Sequence, residues 1–399
     1  MEFKDKNILL GVTGGIAAYK SVELLRLMKK AGANVTVAMT DAAGHFVGKT
    51  TFEVLSENPV LSDLWTDTES SVRHIDVASS SDAAVVAPAT ANCIAKLAHG
   101  IADDALTTTM LALTCPTMIC PSMNTDMYQN IRVQNNLDIL EQTGMHIVDP
   151  DSGVLACKTT GAGRLPEPWF IFDRLGALLT KKDLAGKNIL ISAGPTVEAI
   201  DPVRYISNHS SGKMGYAIAR AAENRGAHVT LVSGPVNIDA PVGVEVLGVE
   251  SCVQMAEAML GCLPNADIII KVAAVADYRP VNPADKKIKK TNDNDGLTLH
   301  LSENQDILKT IGSRKGDHQF LVGFAAETND LDAYALGKMK KKNLDMIAAN
   351  LVGGEYTGFK ADTNKVKLFS KDGTVTDIPL MKKADVAHKL LDAVLEQLP

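Results

Sequence analysis

The chain has 399 residues, 46% apolar, 5% aromatic and 22% charged, with a formal net charge of -7 at pH 7. These values describe an ordinary α/β protein of two domains of roughly 180 to 220 residues each, and they argue against nucleic acid as the main partner. No apolar run approaches the roughly 20 residues that cross a bilayer, and the N-terminus enters a strand without a signal-peptide pattern, so a cytoplasmic location is expected.

The first half opens with Lys6-Asn7-Ile8-Leu9, an apolar strand that leads through Gly11-Val12-Thr13-Gly14-Gly15 into a helix and a second strand, Asn34 to Met39. His74 follows in Val72-Arg-His-Ile-Asp. A lone histidine is more often structural than catalytic, so its weight depends on its company. Strand segments Ala83 to Val86 and Met118 to Cys120 run into Pro88-Ala89-Thr90-Ala91-Asn92 and Pro121-Ser122-Met123-Asn124. Helix-entry turns account for either run alone. Together with Gly14 and Thr40 they place small residues, hydroxyls and an amide where strands finish, the ligand crevice of an open α/β sheet.

Of the six cysteines, at 93, 115, 120, 157, 252 and 262, none forms a Cys-x-x-Cys pair or a zinc-spaced cluster. Five lie in apolar or helical settings and read as buried thiols. Cys157 differs, because it sits in a Gly-rich segment, 153 to 166, with Lys158 and Arg164 nearby.

A helix ending near Leu179 precedes the expected joint, Lys181 to Gly186. Lys187-Asn188-Ile189-Leu190 then repeats the opening. It leads through residues 194 to 215 into a helix over 213–225 and a strand, His228 to Val232. In that helix Met214, Ala217, Ile218, Ala221 and Ala222 keep helical spacing, so one stripe packs on a sheet. Two strand-loop-helix-strand openings imply parallel sheets with helices on both faces. The expected fold is α/β: two tandem three-layer Rossmann-like domains, flavodoxin-like over 1–180 and Rossmann-like over 187–399.

The connection 194 to 215 is far longer than such turns require, which marks a binding loop. Pro195 and Pro202 limit its freedom, Arg204 offers a planar cationic fork, and Asn208 to Ser211 set donors before a helix N-terminus, a setting that suits phosphate. An ordinary Ser N-cap explains Ser211 alone. Further on, Lys286-Lys-Ile-Lys-Lys290 reads either as a solvated charge run or as a flap that closes on phosphates through Lys287. Lys338 and Lys342 share a helix face, although lysines near a helix C-terminus are favourable anyway.

The early Gly-rich turn, His74, the 88–92 run, Pro-x-Met-Asn-x-x-Met at 121–127 and the Cys157 segment resemble the flavin-dependent cysteine decarboxylases. The 194–215 loop, Ala273-Ala-Val-Ala-Asp-Tyr278, the lysine run at 286–290, Gly323-Phe-Ala-Ala-Glu327 and Lys338 to Asn343 resemble phosphopantothenate-cysteine ligases. Nearly the whole chain, in collinear order, is therefore similar to the bacterial bifunctional family of coenzyme A biosynthesis. Members commonly have Gly where this chain has Lys158, and Ala where it has Ser122.

The resemblance implies FMN at Gly14, Thr40, Ala89, Thr90 and Met123. It implies that His74 assists oxidation and decarboxylation, that Asn124 binds the substrate carboxylate, and that Cys157 donates the last proton. In the second domain it implies CTP with Mg²⁺, flanked by Ala273, Asp277, Lys287, Asn304, Asp306, Ile307, Phe324, Lys338 and Lys342. Arg204, Asn208, Ser210, Ser211 and Gly212 are implied on the substrate side, with Asn208 holding the activated acyl-phosphate. The substrates would be 4'-phosphopantothenate and cysteine, and the assembly a dodecamer.

Three other readings fit less of the chain, and one of them, a non-enzymatic flavin-binding regulator of another protein, would dispense with the His74, Asn124 and Cys157 set that is present here. A dinucleotide-dependent oxidoreductase would use Gly-x-Gly-x-x-Gly, which neither glycine turn completes. A flavin prenyltransferase or peptide-cysteine decarboxylase would have no use for residues 190 to 399.

Overall fold

The computed structural model describes residues 3–65, 72–154, 160–289, 297–327, 331–351 and 361–398. The chain divides into two compact units, Met1–Thr180 and Lys181–Pro399. No helix among the described residues is long and apolar enough to cross a membrane.

In the first unit the strands are β1 (Asn7–Val12), β2 (Asn34–Met39), β3 (Ala83–Ala89), β4 (Thr117–Pro121) and β5 (His146–Ile147). They form one parallel sheet in the order β2-β1-β3-β4-β5, the flavodoxin-like arrangement. Every residue of β3 and β4 is buried, as runs covered by helices on both faces must be. Helix Ala18–Lys30 shows why the covering elements form where they do. Its Ser21, Leu24, Leu25 and Met28 are buried on one stripe, while Lys29 and Lys30 sit in the last turn and favour the helix dipole. Burying Leu24, Leu25 and Met28 contributes about 1.5 to 3 kcal/mol each. A hairpin, β6 (Asp151–Val154) and β7 (Thr160–Arg164), follows the sheet, and helix Pro168–Leu179 packs back on Ala18–Lys30.

The second unit begins with β8 (Asn188–Ala193). Residues 194 to 215, read from sequence as a binding loop, contain a hairpin of β9 (Val197–Ala199) and β10 (Tyr205–Ser207). Its turn is tied by Asp201, which accepts from the backbone N–H groups of Val203 and Arg204 at 2.9 and 2.8 Å. Helix Lys213–Asn224 carries the expected stripe, with Met214, Ile218, Ala221 and Ala222 buried and Ala217 partly so.

Then come β11 (His228–Ser233), β12 (Glu245–Gly248), β13 (Ile268–Lys271), a hairpin of β14 (Tyr278–Pro280) and β15 (Leu301–Glu303), β16 (Phe320–Glu327), β17 (Met346–Leu351), β18 (Thr363–Ser370) and β19 (Val375–Lys382). The main sheet runs β12-β11-β8-β13-β16-β17-β18-β19, parallel through β17 and antiparallel for β18 and β19. Buried apolar clusters cover both faces of each sheet, which gives each unit three layers.

The stretch expected as a joint, 181–186, is fastened to the second unit. Leu184 is fully buried in its core, Lys182 donates to the Asn224 carbonyl at 2.7 Å, and Asp183 takes both Nε and Nη2 of Arg225.

Candidate functional sites

In each unit the first strand lies inside the main sheet, β1 between β2 and β3 and β8 between β11 and β13, so strand order reverses beside its C-terminal end. A cavity opens at each of these points.

The first cavity, of about 470 Å³, is lined by Gly14, Gly15, Ile16, Ala17, Tyr19, Lys20, Thr90, Ala91, Ser122, Met123, Asn124, Met127, Gly163, Arg164 and Leu165. The Thr13 hydroxyl fixes its floor, donating to the Pro88 carbonyl at 2.7 Å and accepting from the Thr90 N–H at 3.0 Å. Thr90 then caps helix Ala91–Ala98 by accepting from Cys93 N–H. Asn124 caps Thr125–Tyr128 by accepting from Met127 N–H at 2.9 Å.

The second hairpin strand closes one wall, because Met123 N–H donates to the Gly163 carbonyl at 3.0 Å. Only glycine serves there: Gly163 has φ +141°, and a Cβ would stand 2.2 Å from the Met123 carbonyl oxygen. Lys20, 4% exposed, is held by the Leu165 carbonyl and Glu167, both at 2.9 Å. The hydrogen bond and charge of Lys20, with Arg164 after them, keep the Glu167 carboxyl below its ordinary range.

Gly14, Thr90, Met123 and Asn124 thus meet at one opening, as read from sequence. Ala89 is buried at the end of β3. Thr40 is absent from the lining, yet its hydroxyl is buried at the end of β2 with no hydrogen-bond partner among the described residues. A buried orphan hydroxyl is costly unless something bonds to it, which fits a ligand reaching this edge. His74 lies elsewhere: its helix, Arg73–Ser80, packs against Ala105–Leu111, and the histidine does not line the cavity. Cys157 and Lys158 fall outside the described residues. Burial pushes the Cys93 thiol up to about 12 and the Cys120 thiol higher, so both are inert packing groups.

The second cavity, of about 310 Å³, opens at the ends of β8, β13 and β16. Of the residues singled out from sequence, Ser210, Gly212, Ala273, Asp277, Asn304, Asp306, Ile307, Phe324, Lys338 and Lys342 line it. Gly212 is the N-cap of Lys213–Asn224 with φ +77°, and Asn304 is placed by donating to the Ala276 carbonyl at 2.8 Å. Lys342, just past helix Leu331–Lys341, pairs with Asp306 at 2.8 Å. Despite burial, that hydrogen bond and the Lys309 N–H hold the Asp306 carboxyl below its usual range.

Four expected residues are not in the lining. Asn208 stands at the mouth, its amide donating to the Ala274 carbonyl at 2.9 Å. Ser211 precedes the N-cap Gly212. Arg204 grips Asp201 with Nε and Nη2 and donates to the Ile288 carbonyl at 2.9 Å, while Ile288 N–H donates to Asp201 at 3.0 Å. That clasp anchors the segment bearing Lys287, which is exposed.

Lys213, Lys271, Lys383, Asn350 and Asn364 line the cavity although sequence reasoning passed over them. Only Lys271 left a signal, as a cation ending the apolar run Ile268–Lys271. Its ammonium donates to the Ala273 carbonyl at 2.8 Å. Burial, then Lys338 and Lys342, lower its pKa to about 8 against the opposing pull of Asp306. Five lysines against two carboxylates, Asp277 and Asp306, make this a cavity for a polyanion. Among the described residues no group of three or more His, Cys, Asp or Glu is placed to hold a metal ion.

Two family models match the chain: Flavoprotein over residues 1–179, and DNA/pantothenate metabolism flavoprotein C-terminal domain over residues 184–398. The Coenzyme A biosynthesis bifunctional protein CoaBC of Bacillus subtilis (strain 168) is 48% identical over 395 residues, covering 98% of this chain and 97% of the relative. The chain belongs to this family of bifunctional coenzyme A biosynthesis proteins. The member from Escherichia coli (strain K12) is 44% identical over 398 residues, covering 99% of this chain and 98% of the relative. A solved C-terminal domain of such a protein is 44% identical and covers 55% of this chain and 98% of its own, with a TM-score of 0.47.

Proposed function

We propose that the first cavity holds FMN and decarboxylates 4'-phosphopantothenoylcysteine to 4'-phosphopantetheine, and that the second joins 4'-phosphopantothenate to cysteine at the expense of CTP. Family membership makes the chain a bifunctional enzyme of coenzyme A biosynthesis. The observation that carries the assignment of the two halves is the contrast in lining: small residues, hydroxyls and a neutralised lysine in one, five lysines in the other.

The residues of the first cavity fit a flavin phosphate ester. A Cβ on Gly15 would meet only the Thr90 side chain, at 4.0 Å, and the Thr40 hydroxyl, without a partner among the described residues, lies at the same sheet edge. Bound there, FMN supplies reversible hydride transfer, the electron sink that a cysteine carboxylate lacks. Asn124 offers its amide to the substrate carboxylate and Cys157 donates the final proton. His74, absent from the lining of its own chain's cavity, serves the cavity of a neighbouring copy in a homo-oligomer.

In the second cavity the carboxylate of 4'-phosphopantothenate attacks the α-phosphorus of CTP and expels pyrophosphate, and the cysteine amine then attacks the acyl carbon of the acyl-cytidylate and displaces CMP. Mg²⁺ accompanies the triphosphate. Catalysis is positioning and charge neutralisation, supplied by the helix end at Gly212, by Lys338 and Lys342, and by closure of Lys287. Asn208, at the mouth, holds the acyl-phosphate. The enzyme works in the cytoplasm.

Incubating the purified chain with 4'-phosphopantothenate, cysteine, Mg²⁺ and each nucleoside triphosphate in turn, with mass detection and a visible spectrum, tests both halves. CTP-dependent 4'-phosphopantetheine and a flavin spectrum are expected. Colourless folded protein, or no condensation with any triphosphate, overturns the reading.

A further inference from the structure

One corner of the second cavity contributes two of its five lysines but has no role of its own in the reading above. Lys213 and Lys383 each begin a helix, Lys213–Asn224 and Lys383–Gln397, and Asn364 comes from β18. Nothing in sequence spacing relates them; the sheet brings them together.

Lys383 is only 6% exposed, although a buried ammonium is costly without compensation. It donates to the Ala361 carbonyl at 2.6 Å, and burial together with the nearby Lys213 lowers its pKa to about 8. Asp362 opposes that shift, but its side chain is 85% exposed and already pairs with Lys213 at 2.6 Å, so water screens its charge. Asn364 is 4% exposed. Its oxygen accepts from Lys365 N–H at 3.0 Å, while among the described residues its amide nitrogen reaches only the Met214 sulfur at 3.9 Å, a weak acceptor. A buried amide that donates to a thioether is under-satisfied. Among the described residues the corner thus gathers two ammonium groups and an amide donor beside the positive helix end at Gly212. On the other side of the cavity, Asp306 already counters Lys342 and Lys271.

We infer that Lys213, Lys383 and Asn364 grip the β- and γ-phosphates of the nucleoside triphosphate and hold the pyrophosphate as it leaves. This rests on the reading of the second cavity as a nucleotide site. As a carboxylate oxygen bonds to the α-phosphorus, the bond from that phosphorus to the bridging oxygen breaks, and its electron pair departs with pyrophosphate. Charge thus grows on the β-phosphate, where two ammonium groups and an amide donor stabilise it.

The test measures binding of CTP, CMP and inorganic pyrophosphate, with Mg²⁺, to the full chain by calorimetry. Lys383→Met is expected to weaken CTP and pyrophosphate by about tenfold or more and to leave CMP within about twofold, since only the first two carry the gripped groups. Lys383→Arg, which keeps the charge, is expected to retain most of the affinity. CTP binding unchanged in Lys383→Met, or an equal loss for CMP, overturns the inference alone. Wild-type protein that binds neither nucleotide overturns the nucleotide reading with it. Should circular dichroism show Lys383→Met unfolded, Asn364→Ala decides by the same comparison of CTP with CMP.

Discussion

The two cavities occupy the same place in their sheets and differ in chemistry. The one at the end of β1 has a single lining lysine besides Arg164, and Lys20 is paired with the Glu167 carboxylate while donating to the Leu165 carbonyl. The one at the end of β8 gathers Lys213, Lys271, Lys338, Lys342 and Lys383. Strand order supplies a crevice in both; the lining residues select the ligand class. A largely neutral wall suits a flat ring with one phosphate, whereas accumulated ammonium charge suits a polyphosphate.

The contrast breaks most completely at Gly163. Gly163→Ala puts a Cβ against the Met123 carbonyl at a φ that other residues avoid, so the purified variant should lose its visible flavin absorbance while CTP-dependent condensation persists. Retained flavin would show that this wall is not part of the flavin site. Next, Cys157→Ser should stop the first half after decarboxylation, accumulating an ene-thiol detectable by mass; clean turnover to 4'-phosphopantetheine would refute its role as proton donor. On the charged side, Lys287→Ala should slow acyl-cytidylate formation by roughly a hundredfold, in line with loss of one donor to developing charge. An unaltered single-turnover rate would exclude the flap.

Two smaller effects concern stability of the second unit. Arg225, 6% exposed at its side chain, binds Asp183 through two nitrogens and Asp392 at 2.8 Å. Arg225→Ala should cost about 2 to 3 kcal/mol in denaturant unfolding of that unit, the scale of charge-assisted hydrogen bonds lost at a buried site. A loss below about 0.5 kcal/mol would place the clasp with ordinary surface pairs.

The pH effect is smaller still. Lys271 has its pKa lowered from 10.5 to about 8, first by burial and then by Lys338 and Lys342. The unfolded chain therefore holds a proton between those values that the folded chain has released. Stability of the unliganded unit should rise as pH climbs from about 8 toward 10.5, with the full penalty present below 8. Lys271→Met should flatten that rise; identical slopes in both proteins would contradict the assignment.

Much of the fold is legible in the amino-acid order. Hydrophobic runs bounded by glycine and proline marked β1, β2, β3, β4 and β8 to within a few residues, because burial on both faces demands continuous apolar strands. The stripe of Lys213–Asn224 was legible for the same reason, one face being apolar at helical spacing. The β9–β10 hairpin was not, since its strands are three residues each and register through pairing rather than pattern. Arg204 read as a phosphate fork because its chemistry allows it; only packing revealed that Asp201 and Ile288 occupy it.

By itself the sequence determined the two α/β units, the loops that end their strands, and the residues that carry the family resemblance, since these depend on local composition and order. Tertiary structure alone decided which cations share a cavity. Lys213 and Lys383 stand far apart along the chain, and their charges converge only because β18 pairs antiparallel with β17 and the last helix packs against Lys213–Asn224. Electrostatic interaction depends on distance through space, which no local pattern encodes.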